Sequence, residues 1–286
     1  MAEAPPSPES RLSLALTGHR DSNPAFAANR EAVLATLAAL FDQVESAARE
    51  SVDGLGRLVP VRLHSLIADG ADQAGFDLGQ QRGWELVAPL PVGRNLNLAI
   101  NAHPISVDDA EALLAGGTAP HPECEAGAAA IRTWYGQAQL FELADHDEVL
   151  TAQFLESLAN PNDRDAAHRA QAGISAQVAL AGRVMIEQSD LMIAIWDGRS
   201  SNLVGGTGHT IAAALERGVG LVGERMGHRE RTARAGLNDS VASHDLTLRT
   251  SCCWRTGESR AHSSCPASRR RSCAAPGAGR RRAARG

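Results

Sequence analysis

Leu191-Met-Ile-Ala-Ile-Trp-Asp-Gly198 is the stretch on which the reading of the fold turns. Six apolar residues in a row, bounded by Ser189-Asp190 and Asp197-Gly198, mark a short strand buried on both faces. The chain then passes through 199–204 into Gly205-Gly-Thr-Gly-His-Thr210, and Ile211-Ala-Ala-Ala-Leu215 follows with strong helix formers throughout. At such a strand, glycine loop and helix start, backbone N–H groups point outward with the positive end of the helix dipole. A phosphate or other anion is favoured there, so the first expectation is a nucleotide-type site in an α/β domain.

Upstream the same alternation recurs. Leu12, Leu14 and Leu16 form a short strand ending in the polar loop Thr17-Gly-His-Arg-Asp-Ser-Asn23. Ser22 or Asn23 can cap a helix with Pro24 in its first position, where a missing N–H costs nothing. Val33, Leu37, Leu40 and Val44 give that helix an apolar stripe as far as about Glu50. Asp53-Gly-Leu-Gly56 breaks the chain, and Val59, Val61 and Leu63 then alternate with Arg62 and His64 as a half-exposed strand. Leu66-Ile-Ala-Asp-Gly-Ala-Asp72 is a second strand-to-helix corner, with Ala71, Ala74 and Leu78 on one helix face and Gly83 as the stop. A third strand, Trp84 to Ala88, ends at Pro89-Leu-Pro91. Residues 95–164 read as a helical insertion without clear internal boundaries, and Ala166 to Gln188 as one helix. Gly218 closes the last helix before a fifth strand, Val219 to Val222. Strands alternating with helices imply a parallel sheet wound by right-handed crossovers. Ligands gather beyond the carboxyl ends of such strands, so the loops at 17–23, 67–72, 89–94 and 197–209 should open on one edge.

Composition limits the partners. A chain of 286 residues can bury one sizeable core, or one core plus an appendage. All 28 basic residues are arginine, which with abundant Ala and Gly points to a GC-rich coding sequence. No apolar run reaches the roughly 18–20 residues that span a bilayer, and Met1-Ala-Glu-Ala-Pro-Pro-Ser-Pro8 lacks the features of a signal peptide. No membrane partner and a cytoplasmic location are therefore expected. The net charge of −5 hides a split: residues 224–286 carry 14 Arg against 5 acidic residues, a net +9, leaving −14 on the rest.

The motifs differ in weight. Gly205-Gly-Thr-Gly-His-Thr210 is not a dinucleotide fingerprint, because Ile211 stands where the third glycine belongs, and without lysine it is no Walker loop. Thr207 and Thr210 could donate hydroxyls to a phosphate, or Thr207 could simply cap a helix. Asp69 reads as a helix cap, whereas Asp72, or the backbone of Gly70 and Ala71, could meet a ribose or phosphate. Arg20 could grip phosphate bidentately or form a surface ion pair. Asp197 would project over the site or shape a turn, and Trp196 should pack in the core. The scattered histidines (His64, His103, His121, His146, His168) show no ligand spacing. Cys252-Cys253, His262, Cys265 and Cys273 lack the spacing of a zinc site, so no metal and no cofactor are expected.

Leu16-Thr-Gly-His-Arg20, Ala68-Asp-Gly-Ala-Asp72, Ala88-Pro-Leu-Pro91, Ala181-Gly-Arg183, Ser189 to Gly198 and Gly205-Gly-Thr207, in this order, resemble the SLOG superfamily. Its members are Rossmann-like relatives of the LOG phosphoribohydrolases, the DNA-uptake protein DprA and the nucleotide-sensing region of TRPM channels. The spacing resembles a bacterial, nucleotide-binding branch, and the resemblance covers roughly residues 11–223. It implies a doubly wound, mostly parallel sheet, a homodimer, and a nucleotide or nucleotide-derived ligand. The binding positions it implies are Gly18, His19, Arg20, Gly70, Ala71, Asp72, Asp197, Gly205, Gly206 and Thr207, to which the glycine loop itself adds Gly208 and Thr210. The LOG pattern Pro-Gly-Gly-x-Gly-Thr-x-x-Glu is broken here by Val204, His209 and Ala212. A ribosyl hydrolase would need another carboxylate in place of Ala212, with Asp72 and Asp197 as the catalytic candidates. Binding or sensing of a nucleotide is therefore the first expectation and LOG-type hydrolysis the alternative. A body charged −14 repels a nucleic-acid backbone.

Residues 1–10 form a Pro/Ser-rich leader expected to be disordered. Past about 223 the periodicity is lost, and Arg269-Arg-Arg271 and Arg280-Arg-Arg282 lie among Ser, Ala, Gly, Pro and Cys. This basic, low-complexity tail reads as a disordered arm for nucleic acid or an acidic partner, or as sequence translated from a shifted frame. Its abrupt onset favours the second.

Overall fold

A computed structural model describes residues 10–52, 56–198 and 204–225. The expectations for the leader before residue 10 and for the tail from 226 onward lie outside the described residues. The elements run β1 (Leu12–Gly18), α1 (Pro24–Glu50), β2 (Val61–His64), α2 (Ala71–Gln81), β3 (Glu85–Leu90), α3 (Arg94–Asn101) and α4 (Val107–Leu114). They continue with α5 (Pro122–Tyr135), β4 (Gln139–Glu142), α6 (Asp147–Ala159), α7 (Arg164–Glu187), β5 (Leu191–Trp196), α8 (Thr207–Glu216) and β6 (Gly220–Arg225).

Local chemistry accounts for most of these boundaries. Asn23 accepts hydrogen bonds from the N–H groups of Ala25 and Phe26, with Pro24 in the first turn, so α1 starts where the capping signal places it. Asp163 caps α7 in the same manner through Asp165 and Ala166. Several boundaries differ from expectation: β1 reaches Gly18, β2 begins only at Val61 and β6 runs on to Arg225. β3 continues through Pro89 to Leu90 instead of stopping at Ala88. β2 pairs no further than His64 opposite Val87, so the missing N–H of Pro89 costs no ladder bond on that side. Within the helical insertion, Gln139-Leu-Phe-Glu142 is a strand at the sheet edge. It is too short and too exposed for a buried run, with Phe141 54% accessible.

Among the described residues the sheet has six strands in the order β4-β3-β2-β1-β5-β6, and all five pairings are parallel. From β1 the chain builds outward through β2, β3 and β4. It then returns across the sheet to place β5 on the other side of β1, followed by β6. The direction of winding therefore reverses between β1 and β5. On one face Leu14, Leu16, Leu63, Ile193 and Ile195 meet Phe26, Val33, Leu37 and Phe41 of α1 and Phe76 of α2. Each such burial contributes about 1.5–3 kcal/mol. α2 approaches closely because Gly75 has no Cβ, which would lie 1.9 Å from Leu16 Cδ2. On the opposite face the smaller Ala15, with Met192, packs on Met185 and Ile186 of α7 and Ala214 of α8. The architecture is the doubly wound, Rossmann-like α/β fold. Among the described residues, no helix is long and apolar enough to cross a membrane.

Candidate functional site

At the reversal the carboxyl ends of β1 and β5 lie side by side, with Gly18 opposite Ile195. A Cβ on Gly18 would sit 2.3 Å from Ala71 Cβ, so glycine lets the first residue of α2 press against the strand end. Just beyond, Asp197 N–H donates to His19 Nε2 at 3.1 Å, and Asp197 Oδ1 stands 3.4 Å from the same nitrogen. Thr207 Oγ1 donates to the Gly18 carbonyl at 2.9 Å, tying α8 to β1. Trp196 is only half-buried and belongs to the rim rather than the core, because β1 has ended at Gly18 opposite the preceding residue.

The helix starts on this edge are not equally open. α1 is capped by Asn23. At α3, Gly93 N–H donates to both oxygens of Asp147, and Arg94 N–H to Glu142 Oε2 at 2.8 Å. The 89–94 loop follows β3 at the expected edge, but the N–H groups at the start of α3 are taken by the protein's own carboxylates. At α2, Ala71 is fully buried and its N–H donates to the His19 carbonyl at 3.1 Å. α8 differs: its N-cap Gly206 supplies no side-chain cap, and Gly206, Thr207, Gly208 and His209 remain partly exposed. Free N–H groups in the first turn of a helix, with its dipole, favour an anion. Gly205 holds the approach to this turn in place. It lies at φ 78°, where a Cβ would be 2.6 Å from the Ser175 carbonyl of α7. Its role is close packing on that helix.

The β2 corner is interlocked with the β1 loop. Gly70 lies at φ 89°, and a Cβ there would fall 2.6 Å from His19 O, 2.7 Å from Asp21 N and 2.8 Å from Arg20 C. Ile67, fully buried, is held at φ 60°. A β-branched residue there stores about 1–3 kcal/mol of strain, of the kind that clusters at working sites. Asp69 does not cap α2, as expected from sequence; the N-cap is Gly70, and Asp69 turns to Arg20 instead. Arg20 Nη1 donates to Asp69 Oδ1 at 2.8 Å and Nη2 to Asn101 Oδ1 at 3.0 Å, while His103 Nε2 stands 3.7 Å from Asp69. Burial would raise the Asp69 carboxyl, but His103 and Arg20 outweigh it and hold it below the usual range. Asp72, 6% accessible, accepts from Ala68 N–H at 3.3 Å. Burial lifts its carboxyl to about 7 against the opposing effects of that bond, Arg20 and Ser65.

Of the residues singled out in the sequence, Gly18, His19, Arg20, Asp197, Gly206, Thr207 and Gly208 come together at the reversal. Gly70 and Gly205 are packing positions around it, and Ala71 and Asp72 lie beneath it. Thr210 is buried, donates to the Gly206 carbonyl at 3.3 Å and lies against Gly182, away from the edge. Asp69, Asn101 and His103 are partners that periodicity could not reveal, since Asn101 and His103 come from the insertion.

Two clefts lie elsewhere: one of about 420 Å³ at the amino ends of the strands, lined by Val61, Arg82 and Trp84, and one of about 500 Å³ beside α3. Residues 199–203, which join β5 to α8 at the reversal, are outside the described residues. Among the described residues, no group of three or more His, Cys, Asp or Glu could hold a metal ion. Compared with protein-family models, curated proteins and solved structures, the chain shows no match.

Proposed function

We propose that the β1/β5 reversal binds a nucleotide or nucleotide-derived small molecule, with its phosphate at the start of α8 and its ribose toward Asp69. The observation that carries this reading is the coincidence of the winding reversal with the start of α8, which the described residues leave without a side-chain cap and partly exposed; α6 also starts uncapped at this edge, but Asp147 and Glu148 in its first turn oppose an anion. Two features support it. Adjacent strand ends lie about 5 Å apart, so β5 and β2 lie about 10 Å apart, a span that a phosphate joined to a ribose can bridge. In doubly wound folds an acidic residue takes the ribose 2′-hydroxyl, and Asp69, beyond β2, is proposed for that role. The SLOG resemblance points the same way.

Binding is favoured over hydrolysis. Position 212, where the LOG pattern has glutamate, is an exposed alanine on α8. Asp72 is buried and hydrogen-bonded to backbone, not directed at the edge. The test is calorimetry against nucleoside mono-, di- and triphosphates, ADP-ribose derivatives and cyclic oligonucleotides, with Gly206→Asp as the comparison. The introduced carboxylate is a good helix cap and places negative charge where the phosphate sits. Affinity should fall about a hundredfold while the fold is retained. Absence of binding to the whole set by the unaltered protein, or undiminished binding by G206D, would defeat the proposal.

A further inference from the structure

Among the described residues, four helices end with a residue in the left-handed region just past the C-cap. α2, α4 and α8 use glycine there: Gly83 at φ 70°, Gly116 at φ 77° and Gly218 at φ 69°. Glycine is the usual choice because a Cβ is disfavoured in that conformation. α3 instead carries His103 at φ 54°, after its C-cap Ala102. Helix termination alone would select glycine here as well, so the imidazole calls for its own explanation.

Its surroundings supply one. His103 is 65% accessible at the side chain and stands 3.7 Å from Asp69, whose other partner is Arg20. The platform beneath it is rigid. Asn101 donates to the Asn97 carbonyl at 2.9 Å and accepts from Arg20, and Asn97 donates to Tyr135 Oη at 2.8 Å. A guanidinium that donates to it and an imidazole 3.7 Å away, from different parts of the chain, thus converge on one carboxylate beyond the end of β2. Arg20 uses two of its five N–H donors on Asp69 and Asn101.

We infer that His103 is a specificity residue supplied by the helical insertion: with Arg20 it orients the Asp69 carboxylate to receive the ribose 2′-hydroxyl, so that the site discriminates ribonucleotides from deoxyribonucleotides. The inference rests on the reading of the β1/β5 reversal as a nucleotide site. It makes His103 a positioning residue acting through Asp69, and it assigns the α3 end to ligand selection rather than to folding.

The test measures affinity for the four ribonucleoside 5′-monophosphates and their 2′-deoxy counterparts, in the unaltered protein and in His103→Gly. The unaltered protein should prefer the ribo form. H103G, which restores the residue used at the other three helix ends, should melt at the same or a higher temperature. It should lose on the order of tenfold in affinity for the ribonucleotide and keep its affinity for the deoxyribonucleotide. Equal binding of the two forms by the unaltered protein overturns the inference, as does an H103G variant with undiminished preference. A lowered melting temperature with equal loss for both forms would make His103 structural and also overturns it. If the unaltered protein binds no nucleotide of either set, the underlying reading fails for this class, which separates that outcome from failure of the role of His103.

Discussion

Replacing Gly70 by alanine probes how the candidate site is held together. Gly70 has φ 89° and ψ −122°, a positive-φ conformation outside the left-handed helical region that costs a residue with a Cβ about 1–3 kcal/mol. The new Cβ would also lie within 2.6–2.8 Å of three backbone atoms in the β1–α1 loop. These atoms belong to His19, Arg20 and Asp21 and cannot rotate away as a side chain would, so the loop must shift, at about a further 1–3 kcal/mol. A total near 3 kcal/mol corresponds to a fall in melting temperature on the order of 10 °C for a fold of this size. Gly83→Ala supplies the control. It has φ 70° and nothing within 4 Å of the added Cβ, so it bears the conformational cost alone, about 1 kcal/mol and a few degrees. Both are measured by calorimetric unfolding. Because the displaced loop carries His19 and Arg20, G70A should also weaken nucleotide binding more than G83A does. Equal melting temperatures for the two variants would refute the claim that the β1 loop and the α2 start are interlocked at Gly70.

Two further predictions concern pH. Asp72 has a folded value of about 7 against an ordinary 3.8, so the unfolded chain releases this proton first. Stability should fall as pH rises from about 4 to 7, by about 4 kcal/mol in the limit, and stay level above. Asp72→Asn should remove that slope and gain stability relative to the unaltered protein as pH rises; urea titrations with parallel pH profiles would contradict it. His64 is 3% accessible, its Nε2 has no hydrogen-bond partner among the described residues, and burial followed by the charge of Arg62 lowers it to about 4 despite Glu85. The unfolded chain therefore takes up this proton first as pH falls below 6.5. Stability should drop between about 6.5 and 4, by about 3 kcal/mol. His64→Leu should be the more acid-resistant protein, and an unchanged acid midpoint would count against the orphaned imidazole.

Periodicity and capping chemistry reach far into this fold. The apolar run Leu191–Trp196, the stripe on α1 and the Asn23-Pro24 start depend on residues near in sequence, and each formed where its local signal stands. Parallel winding followed from the alternation of strands and helices. The four-residue edge strand Gln139–Glu142 escaped that reading because pairing with β3, rather than its own hydrophobicity, makes it a strand.

The site divides along the same line. By itself the sequence determined the glycine loop before α8, the polar turn after β1 and the absence of a carboxylate at Ala212. These are properties of a few adjacent residues. Tertiary structure alone decided which helix starts are open. The starts of α2 and α3 are closed by groups from the β1 loop, β4 and α6, whereas among the described residues α8 has no side-chain cap. It also turned Asp69 from a cap into a partner of Arg20 and His103, with Asn101 bound to the same guanidinium, residues up to 83 positions apart in the chain. Hydrogen bonds between such distant residues follow from how the insertion folds back on the sheet edge, and no local pattern encodes that approach.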